Sequence, residues 1–277
     1  MATRFLSLRA QDVGGPVQKP AVLDWSGTGY TPVADTVAAA DVAGREVILA
    51  THGFNVSRKS GTGALANLEP LLQLQPQHRY FGVLWPGDFW IPVVNYPFQA
   101  GHAVTAGRYL ADYLNANFAS AASISFISHS LGARVVLEAV EHLAKPAKEV
   151  CLTAGAVDAD CMAAQYLDAA NNAGRITVLS SRRDKVLRLA YPAGDFISDT
   201  LLGDNDSPWK GALGLKGPPL PLQTPLVGEP IPKTLDYDHG DYLPPSKLPF
   251  PAPLNPKWSH TSAYMARAVT GQPSYWV

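Results

Sequence analysis

Residues 123–136 read SISFISHSLGARVV, and the pattern changes halfway through. Polar and apolar residues alternate up to Ser128, as in a strand. From Leu131 the apolar positions Val135, Val136, Ala139, Val140 and Leu143 recur at helical spacing. Only Ser128-His129-Ser130, with Gly132 two residues on, separates the two patterns. A strand that becomes a helix over so few residues needs a very tight turn, and small residues flank Ser130 two positions away on either side. One reading makes Ser130 a helix cap, a role serine fills well. The other makes it a nucleophile pushed out over the edge of a sheet. There the helix N-terminus and the Leu131 amide would face a developing negative charge.

The surrounding sequence supplies the sheet. EVILATHG (46–53), RYFGVLWPG (79–87), EVCLTAGAV (149–157) and RITVLSS (175–181) read as further strands. Leu110, Leu114 and Phe118 mark a helix before residue 123, and a second helix spans 130–143. Alternating strands and helices predict an α/β fold, a mostly parallel central sheet with helices on both faces. RFLSLRA (4–10) and AVLDWS (21–26) are candidate additional strands.

Residues 190–257 depart from this pattern, holding 14 of the chain's 24 prolines. Proline withholds a ladder donor and fixes φ, so the stretch reads as neither sheet interior nor helix. Aromatic residues punctuate it (Phe196, Trp209, Tyr237, Tyr242, Phe250), which argues for an ordered excursion rather than a linker. The expected organisation is a single domain, 1–277, with 190–257 as an insertion or cap before a C-terminal helix.

Bulk properties narrow the function. Of 277 residues 47% are hydrophobic and 16% charged, with a net charge of −1. A large core is affordable, and no basic run suggests nucleic acid or an anionic membrane as partner. The N-terminus lacks a secretory signal and no segment approaches 18 unbroken apolar residues, so a cytoplasmic protein without a membrane span is expected. Cys151 and Cys161 form no CxxC pair, and Cys151 reads as a buried free thiol.

The segment Ser128-His129-Ser130-Leu131-Gly132 resembles the nucleophile elbow of the α/β-hydrolase superfamily, usually G-x-S-x-G; here Ser128 replaces the first glycine. His52-Gly53-Phe54-Asn55, at the end of a strand, is similar to the superfamily's H-G-x oxyanion loop. With Trp85-Pro86-Gly87, these motifs resemble one bacterial branch described mostly as α/β-hydrolases of unknown function. The similarity spans roughly 46–192 and the C-terminal end. It implies that the amides of Phe54 and Leu131 form an oxyanion hole and that acid and base follow the serine in that order.

Asp184, just past the strand 175–181, is the expected acid; Asp158, or Asp160 beside it, is the rival. His78, His102 and His142 precede the acid, and His52 and His129 lie within the motifs. His260, taken as standing where the chain enters the last helix, is the expected base, with His239 in DYDHGD as the other candidate. The aromatic loop 85–98 suggests Trp85, Phe89 and Trp90 as walls of an apolar substrate pocket. GTGALA (61–66) fits a dinucleotide pattern but starts too far beyond its strand to hold phosphates, and DHGD lacks a second ligand cluster for a metal. The expectation is a serine hydrolase without cofactor or metal, cleaving a small-molecule carboxylic ester. The alternatives are an acyltransferase with the same residues, a non-catalytic binding module and a nucleotide-dependent oxidoreductase.

Overall fold

Parallel strands covered on both faces need apolar side chains at consecutive positions rather than alternate ones. The runs Val47–Ala50 and Tyr80–Leu84 meet that need, and every residue in them except Gly82 is a buried apolar side chain. The computed structural model describes residues 2–88, 96–189, 211–222, 225–247 and 255–276, with only the backbone of 96–100.

Nine described strands form one sheet: β1 (Thr3–Ser7), β2 (Ala21–Trp25), β3 (Tyr30–Val33), β4 (Glu46–Thr51), β5 (His78–Leu84), β6 (Ser123–His129), β7 (Ala147–Thr153), β8 (Ala173–Ser180) and β9 (Leu226–Pro230). Their order is β3-β2-β1-β5-β4-β6-β7-β8-β9. The β1–β2 and β2–β3 pairs at one edge are antiparallel, and all other neighbours are parallel. The helices are α1 (Asp35–Val42), α2 (Arg58–Leu71), α3 (Tyr96–Asn117), α4 (Gly132–Glu141), α5 (Leu167–Asn171), α6 (Lys185–Leu189), α7 (Leu213–Lys216) and α8 (Pro256–Val269). Helix α4 packs on α3 and β6, while α2 and α8 pack on each other and against β5 and β7. This is the α/β-hydrolase arrangement. Among the described residues no helix is long and apolar enough to cross a membrane.

The chain leaves β4 for β5 on one side, then crosses back to β6 on the other. Such a reversal opens a crevice at the carboxyl ends of the strands, where open α/β sheets take their ligands. The ends of β4 and β6 carry the two motifs, and Thr51 pairs with Ser128 across them.

One segment differs from the sequence reading. Leu226–Pro230, inside the proline-rich stretch, is a strand of the main sheet. It lies at the edge and pairs only with β8, which is where a strand tolerates proline. GTGALA lies in the interior of α2. A Cβ at Gly63 would fall 2.2 Å from the Ser246 carbonyl oxygen, so its glycines serve close packing.

A similar constraint sets the α3–α4 crossing. A Cβ at Gly107 would lie 2.5 Å from the Glu138 Cβ and 2.7 Å from the Val135 carbonyl oxygen, whereas one at Gly101 meets no described atom within 4 Å. Gly101→Ala should therefore stabilise by up to about 1 kcal/mol through helix propensity. Gly107→Ala should destabilise by about 1–3 kcal/mol through overpacking. Urea unfolding midpoints that move in the same direction for both would contradict this packing.

Candidate active site

Ser130 stands between β6 and α4 with a φ of 56°, a left-handed conformation that costs a non-glycine residue roughly 1 kcal/mol. Hydrogen bonds on both sides hold it there. Its amide donates to the Thr153 carbonyl at 3.1 Å, and its own carbonyl accepts from Ala133 at 3.0 Å and Ala156 at 3.1 Å. Leu131 is the N-cap of α4, so its amide belongs to the set that lacks intrahelical acceptors.

The glycines of the two motifs are required by each other. A Cβ at Gly53 would meet the Ser130 Cβ at 2.6 Å, and one at Gly132 would meet the His52 carbonyl oxygen at 2.5 Å. Ser128, at the position usually held by glycine, is accommodated fully buried.

Beside Ser130 a hydrogen-bonded series runs through two more side chains. His239 Nε2 lies 2.9 Å from Ser130 Oγ, and His239 Nδ1 donates to Asp184 Oδ2 at 2.7 Å. Asp184 is fully buried, and its other oxygen accepts the Leu187 amide at 2.8 Å. It therefore caps α6 while facing the imidazole. Asp158 instead pairs its backbone with Ala212 in an isolated bridge.

The histidine in this position is His239, and the expectation of His260 is corrected. His260 is exposed on α8, with its ring edge-on to Trp276 at 6.5 Å. Asn255 caps that helix through the Lys257 amide and Pro256 takes its first turn, so His260 already lies inside the helix. The buried side of α8 carries Trp258, Thr261, Ser262 and Met265. A residue two beyond Trp258 points roughly 200° around the helix, away from that side. The Asn-Pro pair was the sequence signal for where α8 begins.

His239 opens a short 3₁₀ turn, His239–Asp241, in the connection between β9 and α8. The flanking carboxylates that might have suggested a cation site are engaged in building this turn. Asp238 and Asp241 form a reciprocal capping box, and Asp241 also pairs with Lys257 at 2.7 Å. Asp238 Oδ1 accepts the Lys185 amide at 2.9 Å, which joins the His239 turn to the Asp184 loop. Ser181 Oγ donates to the Tyr237 carbonyl at 2.7 Å, and Tyr237 is buried. Among the described residues no group of three or more His, Cys, Asp or Glu is placed to hold a metal ion.

Two further histidines, His52 buried and His129 half-buried, set the backbone around this series. His129 Nε2 donates to the His239 carbonyl at 2.9 Å, and the two rings lie 4.8 Å apart. His52 Nδ1 donates to the Gly53 carbonyl at 2.9 Å, while its Nε2 accepts the Trp85 amide at 3.3 Å. The Gly53 carbonyl and the Phe54 amide belong to one trans peptide plane. Holding the carbonyl towards His52 therefore turns the Phe54 N–H the opposite way. Burial lowers the His52 pKa to about 4 and that of His129 to about 3, helped at His129 by the neighbouring His239.

The expected pocket wall is corrected at one position. Trp85 is fully buried, stacked on His52 and donating its indole N–H to the His52 carbonyl at 3.0 Å. It supports the oxyanion-loop motif from beneath because its ring faces the core side of that loop. Phe89 and Trp90 lie outside the described residues. Cys151 is a buried free thiol whose pKa burial pushes up to about 12, so it is not poised as a nucleophile.

Neutral His52 and His129 make stability depend on pH. Their folded pKa values lie below the ordinary histidine value of 6.5, so between pH 6.5 and 4 the unfolded chain binds protons that the folded chain refuses. Their contribution is complete above pH 6.5 and is lost as pH falls, at roughly 2 kcal/mol each between pH 7 and 5. Urea titrations across that range should show this loss. His129→Gln should reduce proton uptake on unfolding by close to one; an unchanged pH slope would contradict a neutral His129.

Comparison with known proteins agrees with the architecture. The family described as "Alpha/beta hydrolase of unknown function (DUF900)" matches residues 33–197. No curated protein matches the chain. Solved structures with similarity include carboxyl esterase 2 from the fungus Tuber melanosporum, at 15% identity and a TM-score of 0.44, covering 97% of this chain and 88% of that one. A protein titled a "predicted CIB-like hydrolase" from Thermoplasma acidophilum is 14% identical with a TM-score of 0.40, covering 87% and 90%. The ydeN gene product of B. subtilis is 16% identical with a TM-score of 0.33, covering 55% and 78%. By the family match, which takes in both the oxyanion-loop motif and the elbow, this chain belongs to the DUF900 family of α/β-hydrolases.

Proposed function

We propose that the protein is a serine hydrolase that cleaves carboxylic esters through an acyl-enzyme, with Ser130 as nucleophile, His239 as base and Asp184 as acid. The observation that carries this reading is the unbroken series from Ser130 Oγ through His239 to Asp184, at 2.9 and 2.7 Å. Serine is a weak nucleophile until an adjacent base can take its proton, and both contacts fall within the range such a base needs.

In this mechanism His239 Nε2 takes the Ser130 proton as Oγ attacks the ester carbonyl carbon. Asp184 fixes the tautomer, with the proton on Nδ1, and stabilises the imidazolium that results. The carbonyl oxygen becomes an oxyanion held by the amides of Leu131 and Phe54. On collapse His239 returns the proton to the leaving alkoxide, and an alcohol departs. Water then repeats the sequence against the acyl-enzyme and releases the acid. The ester preference rests on the aromatic residues of the loop after β5 and of the proline-rich stretch, whose chemistry suits an apolar acyl group.

Hydrolysis of p-nitrophenyl acetate, butyrate and octanoate tests the reading. Ser130→Ala and His239→Ala should each lower kcat by roughly 10⁴–10⁶-fold, and Asp184→Asn by about 10⁴-fold. His260→Ala should stay within about twofold of wild type, since surface substitutions away from a site have small effects. A folded His239→Ala that keeps full activity, or a wild type that neither hydrolyses these esters nor reacts with a fluorophosphonate at Ser130, would overturn it.

A further inference from the structure

Arg9 follows β1, and its side chain is completely buried against a buried carboxylate, Asp88, at 2.6 Å. Taking both ions out of water costs several kcal/mol each, and an apolar pair of similar volume often stabilises a core as well. What the guanidinium does that an apolar residue could not is visible in its hydrogen bonds. All five N–H donors are used: Nε to the Gln11 carbonyl at 3.0 Å, and Nη1 to the carbonyls of Val56 at 3.0 Å and Trp85 at 3.1 Å. Nη2 serves the Asp12 carbonyl and Asp88 Oδ1, both at 2.6 Å.

These acceptors lie on three loops, 9–12, 52–57 and 85–88, and the middle one contains Phe54. The segment around that residue is gripped on each side. Upstream, His52 holds the Gly53 carbonyl, and the Trp85 amide in turn holds His52 Nε2. Downstream, the Asn55 amide donates to the Gly87 carbonyl at 2.8 Å, and Asn55 has a φ of 57°. Arg9 binds the downstream side directly at Val56. It binds the upstream side through Trp85, and its Asp88 partner follows Gly87. One planar group thus sets the spacing between the loop after β4 and the loop after β5, with Phe54 between the anchors.

We propose that Arg9, neutralised by Asp88, is the positioning residue that fixes the Phe54 amide of the oxyanion hole. The proposal rests on the serine-hydrolase reading above. Lysine carries the charge but offers three donors on a flexible stem, so it reproduces the ion pair and not the five-point clamp.

The test uses the full-length protein and the second-order rate of its inactivation by a fluorophosphonate. Formation of that adduct places a phosphoryl oxygen in the oxyanion hole and needs no natural substrate. Wild type, Arg9→Lys and Arg9→Met/Asp88→Asn are compared, with folding checked by melting temperature and near-UV circular dichroism and the labelled residue identified by peptide mass spectrometry. The double variant removes both charges, so no unpaired ion is left buried, and Arg9→Lys keeps the ion pair; either one, folded, decides the matter. The expected result is labelling of wild type at Ser130 and a rate lower by about 10–100-fold in the folded variants. On p-nitrophenyl butyrate kcat should fall by a similar factor while KM stays within about twofold, as for an interaction made only in the transition state. A folded variant that reacts at the wild-type rate overturns the role of Arg9 and leaves the hydrolase intact. A wild type unlabelled at Ser130 overturns both.

Discussion

The contact on which the site depends is between two stretches of backbone, where the loops leaving β4 and β6 touch at Gly53 and Gly132. Neighbouring parallel strands sit about 4.8 Å apart, so loops that turn towards each other at their ends leave no room for a side chain. The clearances show it: an added Cβ at Gly53 would enter Ser130, and one at Gly132 would enter the His52 carbonyl. This constraint links the position of Ser130 to that of the Phe54 peptide. It also explains how Ser130 keeps a left-handed conformation that serine alone disfavours. The amide and carbonyl of Ser130 are tied to Thr153, Ala133 and Ala156, and the alternative conformation would break those bonds at once.

Three histidines lie within this cluster, and their surroundings divide the work among them. His52 is buried and His129 half-buried, both are held neutral by desolvation, and each spends a ring N–H on a backbone carbonyl. A neutral ring with a committed donor is a rigid strut. His239 alone of the three has a carboxylate on one nitrogen and a hydroxyl on the other, and its side chain keeps 16% of its surface accessible. The His239 ring faces a carboxylate, whereas the His129 ring faces the neighbouring imidazole. The chemical asymmetry among these imidazoles comes from burial and partners, since the side chains are identical.

Most of this was legible in the sequence wherever regular pattern and tight turns coincide. The runs at 46–53, 79–87, 123–130, 149–157 and 175–181 each correspond to a strand, most of them through the consecutive apolar residues that a parallel sheet covered on both faces demands and 123–130 through its alternation. The elbow and the H-G-F-N loop could be read because both need glycine at fixed offsets. β9 was hidden by its composition: LVGEP is short, ends in proline and lies among prolines, and only its edge position makes it a strand. Without β9 the stretch 190–257 reads as one excursion, and the expectation of a base where the chain enters the last helix points to His260 rather than His239. The Asn255-Pro256 start of α8 was the available correction, since it places His260 inside a helix rather than before one.

The two halves of the site are therefore built by different means. Ser130 and the Phe54 loop inherit their rigidity from the centre of a parallel sheet, where β4 and β6 are each paired on both sides and their inner residues are buried. His239 stands beyond an edge strand, in a segment too rich in proline for further sheet pairing. Its position comes from local devices: a capping box, ion pairs to Lys185 and Lys257, the His129 contact to its carbonyl and the buried ring of Tyr237. Local devices of this kind confer less cooperative stability than a central sheet, and segments held that way open more readily. The bond between Ser130 and His239 spans the two regimes. Asp184 closes the gap from the sheet side, because it follows β8, caps α6 and grips the imidazole from a fully buried position. Asp184 thus anchors an imidazole supplied by the periphery to a serine supplied by the core, a task that needs a carboxylate with one oxygen committed to the protein and the other to the ring.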